Sequence, residues 1–116
     1  MTTEDKIGEL LKKLVVLEQH IQRLEYMGQG ATHPEMLGAY HQQMHEDREQ
    51  RKQLRAELLV LKQMHRTELV QRKAEVEKEM EGHGIDAWDI EDMKDVIRNI
   101  DRKVEIITDE IKLLSE

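Results

Sequence analysis

Three histidines are the side chains of this chain whose type and spacing best suit metal binding. His41 and His45 are four residues apart, so on a helix both imidazoles project from one face and can reach a single ion. If the preceding helix folds back along this one, His20 falls opposite His41, and a nearby glutamate could complete the ligand set. The residue after His41 is glutamine, however, so the glutamate of a metalloprotease motif is missing. The same histidines could instead form a pH-sensitive contact or lie on a solvated face.

Other catalytic side chains are scarce. The only serine is Ser115, at the end of the chain, and there is no cysteine, so neither a serine nor a cysteine nucleophile can be assembled with a histidine. Aromatic residues make up 3% of the chain, which leaves little material for the apolar walls of a substrate pocket. The sequence therefore predicts a protein that is not an enzyme and needs no cofactor.

The single tryptophan lies in an acidic segment. Trp88 follows the glycine pair Gly82 and Gly84, and the segment 85–116 holds ten acidic residues against five basic ones. An acidic helix start is ordinarily a solvated, dipole-favoured end, but tryptophan is also enriched at the centres of protein interfaces. Trp88, Asp89 and Asp92 are therefore the predicted contact region for a partner protein.

Composition restricts the class of protein. The net charge is -7, which argues against a nucleic-acid partner because such binding depends on clustered lysine and arginine. The longest apolar run has four residues, Leu58 to Leu61, and the N-terminus has no basic and apolar signal segment, so we expect no membrane partner and a cytoplasmic protein. The 37% of charged residues, the single proline and the absence of phenylalanine are typical of coiled coils.

Apolar periodicity predicts three helices, over about 3–27, 33–81 and 86–115, within a single domain. Gly28 and Gly30 are expected to end the first, and Thr32 and Asp86 to cap the other two. A heptad seam in the first helix consists of Ile7, Leu10, Leu14, Leu17, Ile21 and Leu24. The third helix has the most regular seam, which consists of Ile90, Met93, Ile97, Ile100, Val104, Ile107, Ile111 and Leu114.

The seam of the long second helix is interrupted by two charged residues. Asp47 and Arg51 are four residues apart, so they could pair with each other, be left solvated by a roll of the helix, or form a buried polar pair that fixes the register. The segment that contains them, 38–53, offers mainly Tyr40 and Met44 as apolar side chains.

Short connections make long helices antiparallel neighbours. Folding about the first connection places Ile21 near His41, and folding about the second places Ile107 near Val60. The polar segment 38–53 then lies opposite the first helix and covers it poorly. We therefore expect its six seam residues to form an oligomer interface with a second copy.

The sequence as a whole predicts an all-α fold: short, very long and medium helices in an elongated antiparallel coiled-coil-like bundle, completed by homo-oligomerisation. The function it favours is that of a non-enzymatic adaptor, scaffold or inhibitor that binds a second copy and another protein. The alternative is a histidine-dependent metal-binding or pH-sensing bundle built on His20, His41 and His45.

Overall fold

The computed structural model of the protein describes residues 1–30, 33–82 and 87–116, apart from the side chains of residues 87 and 88. The described residues form three helices and no strand: α1 (Thr3–Gly30), α2 (Pro34–Met80) and α3 (Ala87–Ser115). The predicted all-helical fold is confirmed, with the long α2 between two shorter helices of nearly equal length, 28 and 29 residues.

A reciprocal cap starts α1. The backbone N–H of Asp5 donates to the Thr2 hydroxyl oxygen at 3.1 Å, and the Thr2 backbone N–H donates to a carboxylate oxygen of Asp5, also at 3.1 Å. This capping box satisfies two of the backbone donors that a helix leaves open at its start. Of the neighbouring residues Thr2 and Thr3, it is Thr2 that caps α1.

The end of α1 lies further along the chain than the glycines suggested. Gly28 and Gly30 are both part of the helix, and neither adopts a positive φ. The expectation that they stop the helix after residue 27 is therefore wrong. Glycine permits a left-handed helix end but does not impose one, because it tolerates ordinary helical angles as well.

The bounds of α2 agree closely with its sequence signals. Pro34 is its first residue, where the missing N–H costs nothing, and the Leu37 N–H donates to the carbonyl of His33 at 3.1 Å. At the other end the Gly82 N–H donates to the Glu79 carbonyl at 3.1 Å, a tightening typical of a helix terminus. The caps predicted at Thr32 and Asp86 lie outside the described residues.

The chain divides into two compact units, where the sequence predicted one domain. Unit 1 is Met1–Leu58 and unit 2 is Leu59–Glu116, so the boundary falls inside α2. Among the described residues, the buried apolar side chains of unit 1 are Leu10, Leu17, Ile21, Leu24 and Leu58. Those of unit 2 are Val76, Ile100, Ile107 and Ile111. One charged residue is buried in each unit, Asp47 in unit 1 and Lys62 in unit 2.

The predicted seam of α3 is the face that the chain covers. Three of its members, Ile100, Ile107 and Ile111, are buried, and the other five are half-buried. Ile106, which lies off the seam, is exposed. None of the described helices is long and apolar enough to cross a membrane.

Two isoleucines of α3 give a matched test of this packing. Ile100 is 6% exposed and Ile106 is 51% exposed. We expect Ile100→Ala to lower the free energy of unfolding by about 2–5 kcal/mol, through lost burial and the cavity it leaves. Ile106→Ala should change it by no more than about 0.5 kcal/mol. Urea unfolding followed by circular dichroism measures both, and equal losses would contradict the assignment of the buried face.

Candidate functional site

Three exposed aliphatic side chains mark the surface of α1. Leu11 is 44% exposed, Val15 57% and Val16 66%, although all three lie beside the buried seam in sequence. Leu11 and Val15 are four residues apart and share one face of the helix, whereas Val16 lies about 100° further round. We call the surface formed by Leu11 and Val15 the outer face of α1.

One surface groove lies beside the outer face, and another lies beside Val16. The groove beside the outer face has a volume of about 290 Å³ and is lined by Leu11, Leu14, Val15, Glu18, Gln19, Gln22 and Arg55. The groove beside Val16 has a volume of about 460 Å³ and is lined by Lys12, Lys13, Val16, Leu17, His20, Asp47, Gln50 and Leu54. Both grooves belong to unit 1 and lie along the boundary of α1 and α2.

The six residues predicted as an oligomer interface are largely covered within one chain. Leu10, Leu17, Ile21 and Leu24 are buried, and Ile7 and Leu14 are half-buried. The expectation that these side chains need a second copy for cover does not hold for the four buried ones. Among the described residues, the large apolar side chains that α1 leaves exposed are Leu11, Val15, Val16, Tyr26 and Met27.

A buried carboxylate lies at the centre of unit 1. Asp47 is 4% exposed, and its Oδ2 lies 2.6 Å from Nδ1 of His20. Gln43 donates a hydrogen bond from Nε2 to the other carboxylate oxygen, Oδ1, at 3.0 Å. Oδ2 is itself buried and makes no hydrogen bond with any described residue, although Nδ1 of His20 lies 2.6 Å away. Because an unsatisfied buried carboxylate is costly, the neighbouring imidazole matters to the stability of unit 1.

Ion pairs continue on both sides of this contact. Glu18 accepts hydrogen bonds from Nη1 of Arg51 at 3.1 Å and from Nη2 of Arg55 at 3.5 Å. Glu25 accepts one from Nη2 of Arg48 at 3.3 Å. Residues 51 and 55 of α2 both pair with Glu18, whereas residue 48 pairs with Glu25, further along α1. Asp47 and Arg51 do not pair with each other: Asp47 contacts His20 and Arg51 pairs with Glu18, both on α1.

The predicted three-histidine cluster does not form. No group of three or more histidine, aspartate or glutamate side chains among the described residues is arranged to hold a metal ion. His20 contacts Asp47, while His41 and His45 are exposed on α2. The sequence placed His20 opposite His41, whereas the observed partner, Asp47, lies six residues further along α2.

The predicted contact region on α3 is only partly described. Asp89 and Asp92 are exposed near the start of α3, and neither has an ion pair among the described residues. The side chain of Trp88 lies outside the described residues. This region therefore stays a prediction from the sequence.

Unit 2 contains a buried lysine. Lys62 forms an ion pair with Glu110, and burial lowers the pKa of Lys62 from its ordinary value of 10.5 despite that partner. Lys73 pairs with Asp101 at 2.7 Å, and the hydrogen bond to Asp101 raises the pKa of Lys73. The two lysines differ because Lys62 is enclosed and Lys73 is not.

The chain matches no family model, and no curated protein or solved structure is significantly similar to it. Its function must therefore be argued from its own residues.

The contact between His20 and Asp47 can be tested by substitution. His20→Ala should destabilise the protein by more than about 1 kcal/mol, because it leaves the carboxylate buried without its neighbour. His45→Ala is the matched control at an exposed histidine and should cost no more than about 0.5 kcal/mol. In an Asp47→Leu background, His20→Ala should cost much less than in the wild-type chain. Urea unfolding of the four chains gives the coupling energy, and strictly additive costs would contradict the contact.

Lys62 provides a test that depends on pH. Since its folded-state pKa is lowered, the folded chain releases this proton before the unfolded chain as the pH rises. The free energy of unfolding of the wild type should therefore rise relative to Lys62→Met between the lowered pKa and 10.5. Near neutral pH, Lys62→Met should be at least as stable as the wild type. Lys103→Met, an exposed control on α3, should show no such trend. If the free energy of unfolding of the wild type instead falls relative to Lys62→Met as the pH rises, Lys62 does not have a lowered pKa.

Proposed function

We propose that the chain is a non-enzymatic protein–protein interaction module, an adaptor, scaffold or inhibitor, that acts as a helical homo-oligomer. In this proposal its helices form an antiparallel coiled-coil-like bundle, which self-association completes. The observation that supports it best is the exposure of Leu11 and Val15 on a helix whose own seam is already buried or half-buried within one chain. Single exposed apolar residues are common, but two on one face beside an apolar groove suit a docking surface.

Charge supports the choice of the outer face over the second groove. The groove beside Val16 carries Lys12 and Lys13 on its rim, and neither lysine has an ion pair among the described residues. A second copy docked there would bring like charges together. The outer face is different, because Arg51 and Arg55 neutralise Glu18, its nearest charged residue.

The size of the outer face indicates the strength of association. The surface area offered by two aliphatic side chains and a shallow groove is far smaller than the roughly 800 Å² per partner that stable complexes bury. We therefore expect a weak, concentration-dependent homo-oligomer. A tighter complex with another protein would need further contacts, for which Trp88, Asp89 and Asp92 on α3 are the proposed residues.

Two neighbouring valines allow a matched test of this function. Val15→Glu places a charge on the outer face, which would have to be desolvated on docking, and should weaken self-association at least about tenfold, or ~1.4 kcal/mol. Val16→Glu makes the same change at the more exposed neighbour, about 100° round the helix, and should leave association near the wild-type value. Sedimentation velocity over a concentration series measures both chains and the wild type.

Three results would contradict the proposal. The first is a wild-type chain that stays monomeric at all concentrations. The second is equal weakening by both substitutions, and the third is no weakening by Val15→Glu. Circular dichroism of each chain keeps loss of association apart from loss of helix.

A further inference from the structure

We infer that Pro34 keeps α1 packed on the α2 of its own chain, because it prevents α1 and α2 from joining into one helix whose α1 part would pack on a second copy. Such an exchange of α1 between copies is a domain swap, and it differs from association through the outer face. The inference therefore goes beyond the proposed function. It is carried by the position of Pro34, the ends of the two helices and the contacts between them.

Only three residues separate α1 from α2. α1 continues through Gly28 to Gly30, and α2 begins at Pro34. Neither glycine adopts a positive φ, and a Cβ added at either would meet nothing within 4 Å. Residues 31–33 are alanine, threonine and histidine, which can each be part of a helix. Apart from Pro34, this stretch of sequence is therefore compatible with one continuous helix.

Pro34 is tolerated where it is and would be costly in a joined helix. At the first position of α2 its missing N–H costs nothing. Inside a joined helix it could not donate to the carbonyl of Gly30, its ring would clash with that carbonyl, and residue 33 would be disfavoured from helical angles. This penalty corresponds to a factor of about a hundred or more in the equilibrium constant for each joined helix. A two-fold dimer contains two such helices.

The contacts between α1 and α2 are centred near Pro34. His20 contacts Asp47, and Glu25 pairs with Arg48. The midpoint of residues 20 and 47 falls between 33 and 34, and that of residues 25 and 48 falls between 36 and 37. In an antiparallel, two-fold pair of joined helices, residues at equal distances from the crossing point face each other. Two joined helices that cross near residue 34 would therefore form the same contacts between copies, each of them twice.

A joined helix could not keep these contacts within one chain. Residues 20 and 47 would lie 27 residues apart (47 minus 20) along a single helix, which is about 40 Å at 1.5 Å per residue. Leu17, Ile21 and Leu24, which are buried in unit 1, would then be covered by the α2 of a second copy. Because the exchanged dimer repeats the contacts of unit 1, the penalty at Pro34 and the entropy of association favour the single chain.

Cross-linking of the full chain in the P34A background tests this inference, because the protein has no cysteine of its own. Two single-cysteine variants, E25C and R48C, are mixed, unfolded in urea, refolded together and treated with a short bismaleimide. Each is made with and without P34A. We expect P34A to raise the yield of the mixed E25C–R48C product at least about tenfold, since it removes the penalty from both helices. Mass spectrometry identifies the mixed product, and sedimentation velocity should show a dimer.

Gly30→Ala is the matched control for Pro34→Ala. It also places alanine beside the connection, and its Cβ meets nothing within 4 Å, but it leaves the proline in place. We expect it to leave the mixed product near the wild-type yield. The double variant E25C/R48C in one chain without P34A should cross-link internally, which shows that the two sites are close enough. Circular dichroism of each chain measures its helix content.

Three results would overturn the inference. The first is a P34A chain that gives no more mixed product than the wild type. The second is an equal increase with Gly30→Ala, which would assign the effect to helix propensity in general. The third is a wild-type chain that already gives the mixed product in full, since α1 would then exchange despite Pro34. The proposed function is judged separately, because a wild type that never associates contradicts that function and leaves the role of Pro34 intact.

Discussion

Unit 1 depends on one constraint: the seam of α1 must be buried against a half of α2 that has few apolar side chains. Ion pairs meet this requirement. Glu18 forms ion pairs with Arg51 and Arg55, Glu25 forms one with Arg48, and His20 contacts the buried Asp47. Long polar side chains cover apolar surface with their aliphatic stems while their charged ends are paired. Leu17, Ile21 and Leu24 are consequently buried beside a stretch of α2 that looks too polar to bury them.

This way of covering α1 determines which surface is left for function. Because the chain itself covers most of the seam, the apolar residues that α1 leaves open lie beside the seam, and Leu11 and Val15 are two of them. The proposed homo-oligomer therefore relies on a smaller and more polar surface than the seam would have offered. Such a surface suits reversible association better than permanent assembly.

The register of the helices was the main quantity that the sequence could not supply. In unit 1 the sequence placed His20 opposite His41, and the observed partner is Asp47, six residues further along α2. Side chains of a helix lean toward its N-terminus. When two consecutive helices run in opposite directions, the partner of a given residue therefore lies further from the connection than the residue directly across on the backbone. In unit 1 the extension of α1 to Gly30 adds to this shift.

The sequence by itself determined the three helices and the face of α3 that is covered, because spacing of three and four residues sets the direction of each side chain about its own helix. Only the tertiary structure decided that His20 meets Asp47 rather than His41, that one chain buries Leu10, Leu17, Ile21 and Leu24, and that Leu11 and Val15 remain open. These facts depend on the axial offset between neighbouring helices and on how far long polar side chains reach across. Periodicity contains neither quantity, since sliding one helix along another leaves the pattern of each unchanged.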